Sequence, residues 1–524
     1  MSIGRICILR MANGVAVCQS ALPRTTLAWT GWVRRFAKNT RLFWSRIVLK
    51  RGPVLFAGLV LIVTLLVHGP SIFHDFVNWD DDIHVLNNPA VQQPSEVPLW
   101  RHLATPELGY PAPVTVATYA IGQAIFGPGP MGFHLVNVLV HCANVLLLFA
   151  LCLSFGASWT GAMAGALLFA IHPATVEPVA WVSGRKDLLA AFFTLGGGLW
   201  LARLVWKSDQ AMKARWAIAG LLVLGMLSKP SVALLPALAF LWDPIGRRGP
   251  WPVALAACAL LVVASFFLES RVGALSGQAP VWVRVPAGLY VHLRSLLWPY
   301  DHLPKYLDQP GWPLLLAGAA LGILAIGLTL LAVRRRCSCL PGIALAWATY
   351  LPVAGLVPLS RQYADTYLYL PLAGLGLALS IFVSALGPRR WLPRVAMALV
   401  AAVLGLSAAT QVPMWRDGVA LWAETWRAYP DSPQVCRNLG NAHLFGRRFE
   451  PQHAVAVYRY CMARFDMRDF FLKNLAIATA QSGDLEQARL LLAEALQKRP
   501  DDEALRRWAS AIAPRSDRAP DVGD

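Results

Sequence analysis

Continuous apolar runs dominate this chain, separated by short polar stretches. They fall at 53–69, 132–155, 157–172, 187–206, 214–227, 231–243, 251–268, 312–333, 340–358, 367–386 and 391–411. Runs of about 17–25 apolar residues are long enough to cross a hydrocarbon core of roughly 30 Å. Inside lipid every backbone amide needs an internal partner, which leaves helices or closed barrels. The runs lack the two-residue alternation of a barrel strand, so the pattern predicts an all-α polytopic membrane protein of about eleven transmembrane helices. The segment 284–299 carries Arg284, His292 and Arg294 and reads as an interfacial or re-entrant helix on the outer side.

After residue 412 the helical period persists, but the composition becomes that of a soluble domain. Asn474-Leu475-Ala476, with Ala488, Ala495 and Pro500, has the spacing of a tetratricopeptide repeat, and Asn438-Leu439-Gly440 with Ala454 begins an earlier copy. Such repeats stack and expose a concave face suited to docking a protein or peptide; a cap that only stabilises the membrane domain is the plainer alternative. The expected organisation is a cytoplasmic basic arm over 1–51, a membrane domain over 52–412 with its first outer loop at 71–112, repeats over 413–512 and a flexible tail over 513–524.

Charge orients this arrangement. The 524 residues are 56% hydrophobic with a formal charge of +18. The basic loops Arg203 to Arg215, Arg247–Arg248, Arg334–Arg336 and Arg389–Arg394 all fall on the side of the basic arm. Clustering on one side is the orienting pattern of a membrane protein, not the stripe of a nucleic-acid binder. It predicts an N-terminus inside and a C-terminus outside, with membrane lipids as neighbours. No Walker A loop, HExxH zinc motif or nucleotide-binding GxGxxG in context is present. Gly196-Gly197-Gly198 lies in a span, where helix packing is the simpler reading.

The outer side also gathers the candidate chemistry. Asp80, Asp81 and Asp82 follow closely on the first span, flanked by Phe76 and Trp79. A solvated loop is the bland reading. Crowded carboxylates in a partly dry interface raise one another's pKa, so Asp80 or Asp81 could act as a general base, or the pair could hold a divalent Mg or Mn. The stretch His172 to Ala190 places Glu177, Arg185, Lys186 and Asp187 at the outer ends of two spans, where charges are paired, snorkelling or functional. Lys229 sits at a break between spans, and Ser360 to Pro371 supplies Arg361, Gln362, Asp365 and Tyr367. Arg grips a phosphate with its planar fork and Lys acts as a point charge, so these residues and Arg294 suit a lipid-borne phosphate. Cys436 and Cys461 fall on facing helices of the earlier repeat, outside the membrane, and are expected to form a disulfide.

FVNWDDD…NNPAV, HPATVEPVAWVSGRKDLLAAFF, LSKPSVALLP and ADTYLYLP, in this order and followed by the repeats, resemble bacterial relatives of the transmembrane-and-tetratricopeptide-repeat O-mannosyltransferases. The resemblance covers roughly 53 to 510. It implies a GT-C glycosyltransferase fold, a polyprenyl-phosphate-linked sugar donor, a protein acceptor and an active face on the periplasmic side of a bacterial inner membrane. The family's Asp-Asp pair falls on Asp80 and Asp81, its His-x-Glu on Thr175 to Glu177, and its Arg-x-Asp on Arg185 and Asp187. Its Ala-Asp-Arg-Tyr becomes Ala364-Asp365-Thr366-Tyr367; Arg361, close by, could replace the missing Arg. The rival readings are a non-catalytic scaffold presenting the repeats and a lipid-linked glycan polymerase or ligase. A transporter fits less well, because the charges gather at one face.

Overall fold

Prolines and small polar residues set many of the helix starts. Pro113, Pro130, Pro433 and Pro451 occupy the first helical position, where a missing N–H costs nothing. Ser158, Asp417, Ser432, Asp484 and Asp502 cap helices by accepting from backbone N–H groups in the first turn. The computed structural model describes residues 51–513, apart from 95, 98–111, 205–211, 244–248, 272–278, 301, 305, 307–310, 360 and 387–390. The expected basic arm and tail lie outside the described residues.

The described residues are helical, with no strand among them. The membrane part comprises α1 (Arg51–His68), α2 (Pro113–Phe126), α3 (Pro130–Ser154), α4 (Trp159–Ile171), the short α5 (Val176–Ala180), α6 (Arg185–Leu204), α7 (Met212–Met226), α8 (Leu235–Trp242), α9 (Pro250–Arg271), α10 (Val281–Leu297), α11 (Trp312–Arg334), α12 (Leu340–Tyr350), α13 (Tyr369–Ala385) and α14 (Trp391–Gln411). Among the described residues seven helices are long and apolar enough to cross a membrane, or eight if α4 and the segment bent 60° from it count as one span. The other expected spans, 214–227, 231–243 and 340–358, are helical but shorter, at 15 residues for α7, 8 for α8 and 11 for α12. At 1.5 Å of rise per residue, none alone reaches across roughly 30 Å. The segment expected to be interfacial is α10, a 17-residue helix that buries Arg284 and His292 and packs against α11.

Small residues let the central helices touch backbone to backbone. A Cβ on Gly165 would stand 2.2 Å from the Gly376 carbonyl oxygen, and one on Gly342 2.4 Å from the Ala378 nitrogen. These contacts join α4 and α12 to α13. The Gly196-Gly197-Gly198 run plays a smaller part: only Gly197 faces a neighbouring helix, at 3.6 Å from Ile218 and Leu222.

Beyond α14 come α15 (Gly418–Ala428), α16 (Pro433–Phe445), α17 (Pro451–Phe465), α18 (Arg468–Gln481), α19 (Leu485–Lys498) and α20 (Glu503–Ala511), each packed on the next. Gly440, Ala454, Ala476, Ala488 and Ala495 are buried where they meet. Cys436 on α16 and Cys461 on α17 are joined by a disulfide across a Cα separation of 6.1 Å. The core of α17–α20 is separate, but Leu421, Trp422, Val435 and Ala442 belong to the membrane domain's hydrophobic core.

Candidate functional site

After α1 a short 3-10 turn over Gly69–Phe73 leads into an irregular loop. The Asp75 N–H donates to the Arg416 carbonyl at 2.8 Å, tying this loop to the end of the membrane domain. The three aspartates then diverge. Asp81 is fully buried: Oδ1 accepts from the Ser183 N–H (3.0 Å) and hydroxyl (2.5 Å), and Oδ2 accepts from the Val77 N–H (3.1 Å). Burial pushes its carboxyl up to about 7, against those hydrogen bonds and with the Asp80 charge adding to the rise. Asp80 keeps a fifth of its side chain exposed and lies 3.9 Å from the Lys186 ammonium. Burial raises its pKa too, while Lys186 and Arg361 oppose the rise. Asp82 is half-buried, with Oδ1 enclosed and lacking a hydrogen-bond partner.

Opposite them, α4 ends at Ile171 and the chain bends through Pro173 into α5. His172 holds the bend: its Nδ1 accepts from the Ala174 N–H and its carbonyl accepts from the Thr175 hydroxyl. The bend aims Glu177 inward, where it forms an ion pair with Arg361 and accepts from the Asp365 N–H at 3.1 Å. The Arg361 guanidinium also donates to the Pro304 carbonyl and lies 4.7 Å from the centre of the Trp79 ring. Tyr367 donates its hydroxyl to the Arg361 carbonyl at 2.5 Å, fixing the turn that carries the arginine. The Asp365 carboxylate meets His302 Nδ1 at 2.7 Å and accepts from the Tyr306 hydroxyl at 3.0 Å. On the flank, Lys229 pairs with Asp187 at 2.5 Å and lies 5.2 Å from the Tyr367 ring centre.

Asp80, Glu177, Lys186, Asp187, Lys229, Arg361, Asp365 and Tyr367 therefore form one charged cluster at the helix ends. Asp81 and Asp82 lie beside it, and Arg185, Gln362 and Arg294 stand apart from it. Arg185 is buried, and all three of its guanidinium nitrogens are engaged: Nε by Asn137 Oδ1 (2.8 Å), Nη1 by the Thr118 carbonyl (3.1 Å) and Nη2 by the Phe133 carbonyl (2.7 Å). Its plane also faces Tyr119 at 4.6 Å, so it fastens α2 and α3 to the start of α6. Gln362 donates to the adjacent Tyr363 hydroxyl, and Arg294 is exposed on the last turn of α10. His302 and Tyr306 carry no sequence signal beyond their place in the loop between α10 and α11. Trp79, in sequence only a flank of the aspartates, packs against Trp181, Trp415 and Trp422 at 5.2–6.4 Å.

The cluster offers one partly exposed carboxylate among cations, a setting for proton acceptance next to anion binding. It does not offer Asp80 and Asp81 as a divalent-ion chelate. Hard ions want several oxygens, and both Asp81 oxygens already accept from protein donors inside a closed pocket.

No family model matches the chain. It is 36% identical over 169 residues to the protein O-mannosyl-transferase TMTC4 of Mus musculus, which covers 27% of this chain and 22% of that protein. It is 34% identical over 178 residues to TMTC4 of Homo sapiens (29% and 22%) and 40% identical over 76 residues to Tmtc1 of Drosophila melanogaster (14% and 9%). The matched region thus spans less than a quarter of the length of these curated relatives. The similarity bears out the family resemblance carried by the motifs. Among solved structures, ArnT from Cupriavidus metallidurans, crystallised with undecaprenyl phosphate, aligns over 85% of this chain and 80% of its own, with 17% identity and a TM-score of 0.36. A likeness that low carries no argument here.

Proposed function

We propose that this chain is a membrane glycosyltransferase of GT-C type. It would move a sugar from a polyprenyl-phosphate donor to a hydroxyl of a protein acceptor on the outer, periplasmic face of the inner membrane. The observation that carries the reading is Asp80, a partly exposed carboxylate 3.9 Å from Lys186 and within the field of Arg361, at the outer ends of the membrane helices. The similarity to protein O-mannosyl-transferases supports the reaction class and the protein acceptor.

In this mechanism the acceptor O–H gives its proton to Asp80 as its oxygen bonds to the anomeric carbon. The bond from that carbon to the phosphate oxygen breaks, and the phosphate leaves with the electron pair. A single displacement inverts the anomeric centre. Arg361 and Lys186 meet the charge that develops on the leaving phosphate. Arg361 would fill the role of the family's arginine, since Thr366 occupies that position. Asp81 holds the loop in place through Ser183 and Val77, and Lys229–Asp187 flanks the donor phosphate. The repeats α15–α20 would dock the acceptor polypeptide.

The test is sugar transfer in a membrane preparation supplied with total lipid-linked sugars from the host, read as intact mass of the acceptor. Asp80→Asn should lower transfer by about 100-fold or more while the thermal unfolding temperature is kept. A folded Asp80→Asn variant transferring at the wild-type rate removes Asp80 from the role. Absence of any mass gain with the wild type would favour a scaffold presenting the repeats.

A further inference from the structure

We propose that the hairpin between α16 and α17 is a binding site for a divalent transition-metal ion of the zinc class, held by His443, Glu450 and His453. One ligand atom from each residue lies within 4.8 Å of the other two. His443 Nδ1 stands 2.8 Å from a Glu450 carboxylate oxygen, and His453 Nδ1 stands 3.7 Å from the same oxygen. Tetrahedral zinc bonds of about 2.0–2.1 Å place neighbouring ligand atoms roughly 3.3 Å apart, inside that bracket. Two imidazoles and a carboxylate suit zinc-like ions and disfavour magnesium and calcium.

The backbone builds this arrangement. α16 ends at Phe445, and Phe449 takes a left-handed conformation (φ 43°) that turns the chain back on itself. The Glu450 N–H then donates to the His443 carbonyl at 2.8 Å, pinning Glu450 against the last turn of α16. His453 follows one helical turn into α17, so its ring lies over His443 with centroids 5.5 Å apart. An ordinary ion pair accounts for His443 and Glu450. It does not account for a second imidazole brought to the same oxygen at a distance too long for a hydrogen bond. The His453 side chain is 70% exposed, which leaves a coordination position open to water. Arg448, in the same turn, lies 3.7 Å from Asp417.

The ion would clamp α16 to α17. α16 also carries the Asn438 carbonyl, which accepts from Asn78 Nδ2 at 3.3 Å, two residues ahead of Asp80. The site thus steadies the helix on which the first outer loop rests, and it stands whether or not sugar transfer is the activity.

The test uses the full chain in detergent, stripped by a chelator and titrated with Zn²⁺ against a colorimetric competitor. Wild type should take up one ion that His453→Ala and Glu450→Gln lose, with affinity falling about tenfold or more. Co²⁺ should give the visible absorption of a four-coordinate nitrogen–oxygen site in wild type only. Zn²⁺ should also raise the wild-type unfolding temperature and leave that of His453→Ala unmoved. The Asp80→Asn/Asp81→Asn variant should bind the ion as wild type does. Equal binding by wild type and His453→Ala, or no uptake by wild type, overturns the proposal; His453 is exposed enough that its variant should fold, which the metal-free unfolding temperature checks.

Discussion

Asp81 accepts three hydrogen bonds inside a closed pocket, yet burial still pushes its carboxyl from an ordinary 3.8 to about 7. The sign follows from linkage. Between about pH 4 and pH 7 the unfolded chain has already released this proton while the folded chain still holds it. Stability from this group is therefore fully present below pH 4, falls as pH rises to 7, and is flat above. The gap corresponds to at most about 4 kcal/mol. Asp81→Asn removes the titration and keeps one acceptor oxygen for the Ser183 donors, while its NH2 faces the Val77 N–H. Unfolding temperatures in detergent, measured across that window, should fall more, or rise less, for wild type than for Asp81→Asn; identical slopes would contradict the assignment. The aspartate triplet was legible in the sequence because charges beside a long apolar run demand a reason. Which aspartate is closed in and which faces Lys186 was not, because that depends on Ser183, about a hundred residues away.

At the scale of elements, the Glu177–Arg361 pair fastens the bend after α4 to the turn before α13. Both partners are enclosed, at 3% and 19% side-chain exposure. Arg361→Ala should cost about 3–5 kcal/mol, since it leaves the Glu177 charge buried and unpaired. Arg361→Ala with Glu177→Gln should cost less than the single change, and a double-mutant cycle by thermal unfolding measures the difference. Sequence placed both residues near helix ends, because Pro173 and Pro178 announced a bend and the apolar runs announced the ends. It could not pair them across 184 positions. Arg185 shows the opposite limit. An arginine at a span end suggested phosphate, but its partners are two backbone carbonyls and Asn137, which carry no readable pattern. The Cys436–Cys461 bond closes a 25-residue separation between α16 and α17. Its reduction should lower stability by about 3 kcal/mol in the loop-entropy account, seen as a lower unfolding temperature with reductant that the Cys436→Ala/Cys461→Ala variant does not show.

Across the whole molecule, the membrane domain and the C-terminal helices meet at an aromatic cluster beside the charged site. Trp79 from the loop after α1 packs on Trp181 before α6, Trp415 after α14 and Trp422 on α15. Its ring also faces Arg361 at 4.7 Å. The apolar runs told where the helices lie, though α8 and α12 are shorter than the runs 231–243 and 340–358 that predicted them. The change of composition at 412 announced a second region. Neither told that α15 shares the membrane core, since a lone Trp on a soluble-looking helix gives no sign of its partner. If the cluster positions Arg361, then removing Trp422, which is 1% exposed, should act on the site as well as on packing. Trp422→Ala should cost about 3–5 kcal/mol and also lower sugar transfer at temperatures where the variant remains folded. Trp422→Phe, which keeps a ring against Trp79, should recover most of both. The control is Leu490→Ala, at a side chain 70% exposed on α19, which should move neither. Transfer that stays at the wild-type rate in folded Trp422→Ala would show that the C-terminal helices support the membrane domain without setting the geometry of its charged cluster.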